Sequence, residues 1–174
     1  ARFFYDTLKN PSEGREAREY FSKRKISWDT VIMYGLGFSG KSKTALTEYL
    51  KTKGYTEEQS VEAGLAVVRD GRVIDKFRNR VMFPIIDVRG NVIGFGGRTM
   101  SDVKEINGYK IPKYLNSSET PAFDKGRNLF SLNIAKNERA ESLILCEGYM
   151  DVISVCQAGI KNIVATLGTA ITEN

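Results

Sequence analysis

The chain has 174 residues, of which 41% are hydrophobic and 27% are charged, and this is the composition of an ordinary globular protein. It contains no histidine, which excludes a Ser-His-Asp triad and every zinc site that depends on imidazole. The two cysteines, Cys146 and Cys156, are too few for a zinc cluster or a disulfide framework. Both lie in apolar segments, which favours buried, reduced thiols. Any catalysis must then depend on carboxylates, cations, hydroxyls or a bound metal.

The net charge of +5 is unevenly distributed along the chain. Residues 72–113 carry nine basic and four acidic side chains, whereas residues 114–174 carry five basic and seven acidic ones. A basic middle followed by an acidic end indicates a surface for a polyanion beside a site for a cation. On charge alone, a solvated basic face is an equally good interpretation. No apolar run approaches the roughly 20 residues that cross a bilayer, and no signal peptide is apparent, so we expect a cytoplasmic protein.

Three helices are predicted in the first third of the chain. Asn10-Pro11-Ser12-Glu13 combines an N-cap, a proline and a third-position acid, which predicts a helix start. Three residues at helical spacing would form its buried stripe: Ala17, Tyr20 and Phe21. Arg24 would then remain exposed or near a ligand. Periodic apolar residues predict a second helix over 43–53, and a capping box from Thr56 to Gln59 predicts a short third one.

The pattern then changes to strands. Residues 65–68 and 72–74 flank Asp70-Gly71, which is a strong hairpin signal, and residues 81–87 and 92–95 flank a second turn. Such short connections predict an antiparallel or mixed sheet.

The last part of the chain has a different organisation. A strand over 143–146, a helix over 149–158 and a strand over 163–167 predict a βαβ unit, which normally begins a parallel sheet. We therefore expect two domains, residues 1–138 and residues 139–174.

Residues 35–42, Gly-Leu-Gly-Phe-Ser-Gly-Lys-Ser, satisfy the phosphate-loop pattern, which would place Lys41 on the phosphates of a nucleotide. Two features argue against a phosphate-loop NTPase. The strand that ends at Asp87 runs into a tight turn, so its neighbour should be antiparallel, and residues 43–138 offer too few parallel strands. A structural turn that leads into a helix is the favoured interpretation.

Basic residues recur at every second position over 76–80. On an extended chain, Lys76, Arg78 and Arg80 would share one face, and Phe77, Val81, Phe83 and Ile85 would share the other. Three adjacent cations repel one another, so an anionic partner would be favourable. Arg98 follows at the end of the next strand, after glycines that allow a backbone or a phosphate to approach closely. Glycines in strands also mark simple bulges.

A pair of carboxylates follows the predicted buried strand 143–146. Glu147 lies at its carboxyl end, where open α/β sheets place their ligands, and Asp151 lies in the first turn of the next helix. The two carboxylates could share a divalent cation directly or through water. Asp151 is equally explained as an acid that the helix N-terminus favours.

Four segments in this order, residues 77–85, 94–98, 112–117 and 147–152, resemble the bacterial DnaG-type DNA primase. The similarity spans essentially the whole chain. It implies an α/β protein: a primase-specific α+β subdomain with a mixed or antiparallel sheet, followed by the first βαβ unit of a Toprim (topoisomerase–primase) domain.

The resemblance also implies an activity, namely synthesis of short RNA primers from ribonucleoside triphosphates on single-stranded DNA. The implied cofactor is Mg²⁺ or Mn²⁺, and the product is an RNA/DNA hybrid. Glu147 matches the Toprim glutamate, and Asp151 matches the acidic residue that follows it. Basic residues of the matched segments and their neighbours are the candidate contacts to template or nucleotide: Arg24, Lys76, Arg78, Arg80, Arg98, Lys113 and Lys125.

Parts of the family pattern lie outside residues 1–174: a later Asp-x-Asp pair, a zinc-binding module and a helicase-binding region. We therefore expect an incomplete metal site, no zinc, contact with the replicative helicase only through other regions, and little or no primer synthesis by this chain alone. A competing hypothesis is a non-catalytic fragment that binds single-stranded DNA, in which the carboxylates have no role.

Overall fold

The computed structural model describes residues 1–103, 105, 106 and 109–168. Among these residues, no helix is long and apolar enough to span a membrane. A short 3-10 helix covers Lys125–Arg127. The α-helices of the described residues are α1 (Arg2–Lys9), α2 (Arg15–Lys23), α3 (Trp28–Tyr34), α4 (Ala45–Thr52), α5 (Glu57–Glu62), α6 (Leu132–Ala135) and α7 (Tyr149–Gln157).

The strands form one four-stranded sheet and three two-stranded sheets. They are β1 (Gly37–Phe38), β2 (Ala66–Arg69), β3 (Arg72–Asp75), β4 (Arg80–Ile86), β5 (Val92–Thr99), β6 (Glu105–Ile106), β7 (Tyr109–Lys110), β8 (Tyr114–Asn116), β9 (Ile144–Cys146) and β10 (Ile163–Ala165). The larger sheet has the order β1-β4-β5-β8, and every neighbouring pair in it is antiparallel. The predicted antiparallel sheet and both predicted hairpins are confirmed.

The start of the first predicted helix was placed too early. Asn10 does cap a turn, because its side-chain oxygen accepts hydrogen bonds from the backbone N–H groups of Ser12 and Glu13 at 3.1 and 3.0 Å. The helix itself begins at Arg15, after Gly14. The second and third predicted helices are confirmed as α4 and α5, and the capping box at the start of α5 has both of its hydrogen bonds.

The phosphate-loop pattern is a structural turn. Its Gly37 lies in β1, antiparallel to β4, and a Cβ there would lie 2.6 Å from Phe4 of α1. Lys41 forms an ion pair with Glu16 at 2.9 Å instead of facing an anion. Helix α4 begins only at Ala45, so its N-terminus does not follow the pattern directly. The geometry therefore contradicts the NTPase alternative.

The predicted βαβ unit is confirmed as β9–α7–β10, with parallel strands in which Ile144 pairs with Ile163. The prediction that β9 is a buried strand is wrong, because Ile144 and Leu145 are 42% and 50% exposed. Within the described part of the chain, β9 pairs only with β10, so it lies at the edge of a two-stranded sheet. Of the two free cysteines, Cys156 is buried as predicted, and Cys146 is only partly buried.

One hydrophobic core connects the two parts of the chain. Side chains of α2, α3, β1 and β4 pack in a single cluster with those of α7 and β10, including Val152 and Ile153. Phe130 forms a β-bridge with Ala165, and the hydroxyls of Tyr34 and Ser131 are hydrogen-bonded at 3.0 Å. Helix α7 is therefore held firmly against the amino-terminal part.

Candidate nucleotide and nucleic-acid site

A cleft of about 860 Å³ opens where β9 and β10 end. Its lining includes Glu147 at the end of β9, Leu167 after β10, and Tyr114 and Asn116 of β8. The carboxyl ends of parallel strands are the usual ligand position of α/β sheets. Glu147 is exposed, and it has no hydrogen bond or ion pair with another described residue. Its carboxylate is therefore free to bind a ligand in this cleft.

The floor of the cleft is built around Tyr149. The Tyr149 hydroxyl donates to Asn116 Oδ1 at 2.8 Å, and Asn116 Nδ2 donates to the carbonyl of Leu167 at 2.7 Å. Burial raises the pKa of Tyr149 above its ordinary value. A Cβ on Gly96 would lie 2.5 Å from the Tyr149 ring. This glycine therefore makes room for an aromatic ring, whereas the sequence suggested room for a backbone or a phosphate.

Tyr20 of α2 lies beside two of the predicted basic site residues. The guanidinium carbon of Arg98 is 4.6 Å from the centroid of the Tyr20 ring, and that of Arg24 is 5.6 Å away. Such cation–π contacts let two like charges lie near one another. The Tyr20 hydroxyl and Arg98 Nε are buried and have no hydrogen-bond partner among the described residues. The sequence predicts Tyr20 only as a core residue, so its contact with the two guanidinium groups was not foreseen.

Tyr114 lines the same cleft as Glu147, and nearby charged groups affect its pKa. Burial raises its pKa, the nearby Tyr20 raises it further, and the positive charges of Arg98 and Arg24 oppose this effect. The negative charge of Asp151 makes a smaller contribution that also raises the pKa. Four charged or phenolic groups thus act on Tyr114: Tyr20, Arg98, Arg24 and Asp151. The structure brings Arg24 and Arg98 together at the Tyr20 ring.

Arg80 does not belong to an exposed row of cations. It is only 5% exposed, and its guanidinium donates to the carbonyls of Gly97 and Pro112, both at 3.0 Å. Asn79 has a φ of +50°, so the chain is not extended before β4, and the predicted alternation of residues 76–80 fails there. Burial, followed by the charge of Arg78, lowers the Arg80 pKa. The prediction of three cations on one face is therefore wrong, and Arg80 holds the segment before β8 in place.

Among the remaining predicted cations, Lys76 and Lys125 are near one another. Lys76 Nζ donates to the hydroxyl of Ser118 at 2.7 Å. Burial lowers the pKa of Lys76, and the positive charge of Lys125 lowers it further, so the two ammonium groups are neighbours. Arg78 and Lys125 are partly buried, whereas Lys113 is exposed just before β8. Neighbouring cations of this kind are favourable for an anionic partner.

The two carboxylates suit a hydrated divalent cation better than a closed metal cage. A Cβ on Gly148 would lie 2.9 Å from Asp151 Oδ2, so the Asp151 carboxylate lies against the turn that follows Glu147. Carboxylate oxygens are the ligands that Mg²⁺ and Mn²⁺ prefer, and Mg²⁺ commonly keeps several waters. Within the described part of the chain, no group of three or more metal-binding side chains is present. Glu147 and Asp151 can thus supply only part of a coordination shell.

Comparison with known proteins agrees with this architecture. Residues 3–136 match the family model of the DNA primase catalytic core, N-terminal domain, and residues 141–174 match that of the Toprim domain. The chain belongs to the DnaG-type DNA primase catalytic-core family. This membership confirms the resemblance seen in the sequence, and Toprim domains in general use divalent metal.

The similar proteins are longer than this chain. It is 47% identical to a DNA primase of Clostridium acetobutylicum over 175 residues, which is 28% of that protein, and 40% identical to one of Pseudomonas putida, covering 26%. A solved structure of a DnaG primase catalytic domain bound to single-stranded DNA is similar with a TM-score of 0.86 at 40% identity, and the match covers 98% of this chain and 54% of that one. The RNA polymerase domain of Mycobacterium tuberculosis primase DnaG is similar with a TM-score of 0.88 at 31% identity, with coverage of 98% and 54%.

Proposed function

We propose that this chain is the part of a DNA primase that holds the single-stranded template and begins the metal site for RNA primer synthesis. The observation that carries the proposal is the free carboxylate of Glu147 in a cleft that Tyr114 also lines. The positive charges of Arg24 and Arg98 act on the pKa of Tyr114, so both guanidinium groups are near this residue. The similarity to a catalytic domain bound to single-stranded DNA supports the assignment of the template.

Nucleotidyl transfer requires that the 3′-hydroxyl of the primer attack the α-phosphate of a ribonucleoside triphosphate while the charge of the leaving pyrophosphate is neutralised. Glu147, with Asp151 beside it, would hold Mg²⁺ or Mn²⁺, and a bound divalent ion supplies activation of the attacking oxygen and charge neutralisation. Arg98 and Arg24, whose charges act on Tyr114 in the lining of the same cleft, would contact phosphate oxygens.

The remaining predicted cations would bind the template strand. Lys76, Arg78, Lys113 and Lys125 would contact the phosphates of single-stranded DNA or of the RNA/DNA hybrid, with little reading of base sequence. Arg80 would act only indirectly, because its guanidinium is occupied by backbone carbonyls. The proposal includes a location in the bacterial cytoplasm, where the template is, and contact with the replicative helicase through regions other than residues 1–174.

Binding of Mn²⁺ distinguishes a catalytic primase core from a fragment that only binds DNA. The full-length protein that contains this core is titrated with Mn²⁺ and a ribonucleoside triphosphate, and bound Mn²⁺ is followed by electron paramagnetic resonance. Glu147→Gln should weaken nucleotide-dependent Mn²⁺ binding at least about tenfold, because a carboxylate ligand is lost. The affinity for a single-stranded oligonucleotide should stay within twofold of wild type.

Glu141→Gln is the matched control, because Glu141 is another exposed acid, located just before β9. It should change neither Mn²⁺ binding nor DNA binding. Equal Mn²⁺ binding by the wild type and the Glu147→Gln protein would show that the Glu147 carboxylate does not bind the metal. It would favour the hypothesis of a fragment that only binds DNA.

A further inference from the structure

One side chain at the end of α7 joins this helix to the segment that follows Arg24. Gln157 Oε1 accepts hydrogen bonds from the backbone N–H of Ser27 and the hydroxyl of Thr30, both at 2.8 Å. Gln157 Nε2 donates to the carbonyl of Lys25, also at 2.8 Å. A single amide therefore satisfies two groups in the connection between α2 and α3 and a third in the first turn of α3, about 130 residues away in the sequence.

The segment that Gln157 holds contains a strained residue. Helix α2 ends with hydrogen bonds from Ile26 N to Phe21 O at 3.0 Å and from Lys25 N to Ser22 O at 2.8 Å. This is the Schellman arrangement, in which the residue after the C-cap is left-handed and is usually glycine. Here that residue is Lys25, with a φ of +57°. Because a lysine rarely adopts this conformation, the surroundings must hold it, and the Gln157 amide bonds its carbonyl directly.

Arg24 is the C-cap of α2 and immediately precedes the strained residue. The direction of its side chain therefore depends on how α2 ends. Helix α7 carries Asp151 in its first turn and Gln157 at its last position, which at 1.5 Å per residue are about 9 Å apart along the axis. Since Val152 and Ile153 are fully buried in the core, α7 is a rigid spacer between the two.

We infer that Gln157 is a positioning residue, which fixes Arg24 relative to the carboxylates at the other end of α7. The inference rests on the proposed function, in which Arg24 contacts a phosphate. A role only in stability explains the geometry less well, because Gln157 lies in the exposed part of α7 and the core already holds that helix.

A double-mutant cycle tests this role on the 174-residue chain. The affinity for a fluorescein-labelled single-stranded oligonucleotide is measured by anisotropy at several salt concentrations for wild type, Gln157→Ala, Arg24→Ala and the double variant. Arg24→Ala should weaken binding about fivefold and reduce the salt slope by about 0.7, the value for one phosphate contact to a single strand. Gln157→Ala should weaken binding two- to threefold, and it should have no further effect in the Arg24→Ala background.

Two further variants separate positioning from folding. Gln157→Glu keeps the acceptor for Ser27 and Thr30 but cannot donate to Lys25. The direct effect of its added charge on the oligonucleotide is present in both backgrounds and cancels in its own cycle with Arg24→Ala. This variant should show the same coupling, even if Gln157→Ala melts at the assay temperature. Asn162→Ala is the control, because it removes a comparable hydrogen bond, to the carbonyl of Ser142 at 3.0 Å, and should leave binding unchanged.

The outcomes distinguish this inference from the proposed function. If Arg24→Ala weakens binding but the Gln157 variants have no effect, or the same effect in both backgrounds, the positioning role is refuted and the proposed function stands. If Arg24→Ala itself does not change binding, the proposed role of Arg24 fails, and the inference about Gln157 fails with it.

Discussion

Substitution of Gly96 by alanine tests how the floor of the cleft is built. The new Cβ would lie 2.5 Å from Cε2 and 2.9 Å from Cζ of Tyr149. The ring cannot withdraw freely, since it is stacked on Phe83 at 5.3 Å and meets Phe130 at 4.7 Å. Overpacking of this kind costs about 1–3 kcal/mol. Displacement of the hydroxyl from Asn116 adds roughly 1 kcal/mol, so we expect a destabilisation of about 2–4 kcal/mol.

In a chain of this size, the expected loss corresponds to a decrease in Tm of about 5–15 °C. Thermal unfolding of the 174-residue chain is followed by circular dichroism for wild type and Gly96→Ala. The matched control is Gly168→Ala in the same cleft, because a Cβ on Gly168 would have no atom of the residues that the structure describes within 4 Å. A Gly96→Ala chain that melts within about 1 °C of wild type would refute the packing argument.

Three further predictions concern the same region. Tyr20→Leu should weaken binding of single-stranded DNA two- to fivefold in an anisotropy titration, whereas Tyr20→Phe, which keeps the ring under the guanidinium groups, should bind like wild type. Equal affinities of all three proteins would exclude the cation–π role. Arg80→Lys should lower the free energy of unfolding in urea by about 2–3 kcal/mol, because one ammonium cannot replace the hydrogen bonds of the buried guanidinium. Arg78→Lys should be nearly neutral. A larger loss for Arg78→Lys than for Arg80→Lys would contradict the structural role of Arg80. Burial raises the pKa of Tyr149 and of Tyr34, so the folded state keeps these phenols neutral while the unfolded state ionises above about pH 10. The free energy of unfolding should therefore be unaffected by these groups below pH 10 and should decrease as the pH rises beyond it. A free energy of unfolding that is constant from pH 9 to 11 would contradict this sign.

Local signals in the sequence were sufficient for most of the elements. The Asp70-Gly71 turn, the capping box at Thr56 and the strand–helix–strand order after residue 143 are determined by neighbouring residues, and all three are present in the structure. Helix α1 was missed, although Phe4 and Leu8 lie at helical spacing on its buried face. That signal was available in the sequence.

The candidate site was predictable only in part. Glu147 and Asp151 could be proposed from the sequence because a strand end followed by a glycine and a helix start is a local pattern. The burial of Arg80 depends on the left-handed backbone conformation of Asn79, which an alternating pattern of charges does not reveal. The role inferred for Gln157 was not visible at all, because its partners are about 130 residues away.

The central claim is that the free carboxylate of Glu147 serves nucleotidyl transfer, and primer synthesis tests it most directly. Extension of labelled ribonucleotides on a single-stranded template is measured with the full-length protein that contains this core, as wild type, Glu147→Gln and Glu141→Gln. We predict that Glu147→Gln reduces synthesis at least about 100-fold while template affinity and Tm are retained, and that Glu141→Gln is active. Synthesis by the Glu147→Gln protein within threefold of wild type would contradict the account.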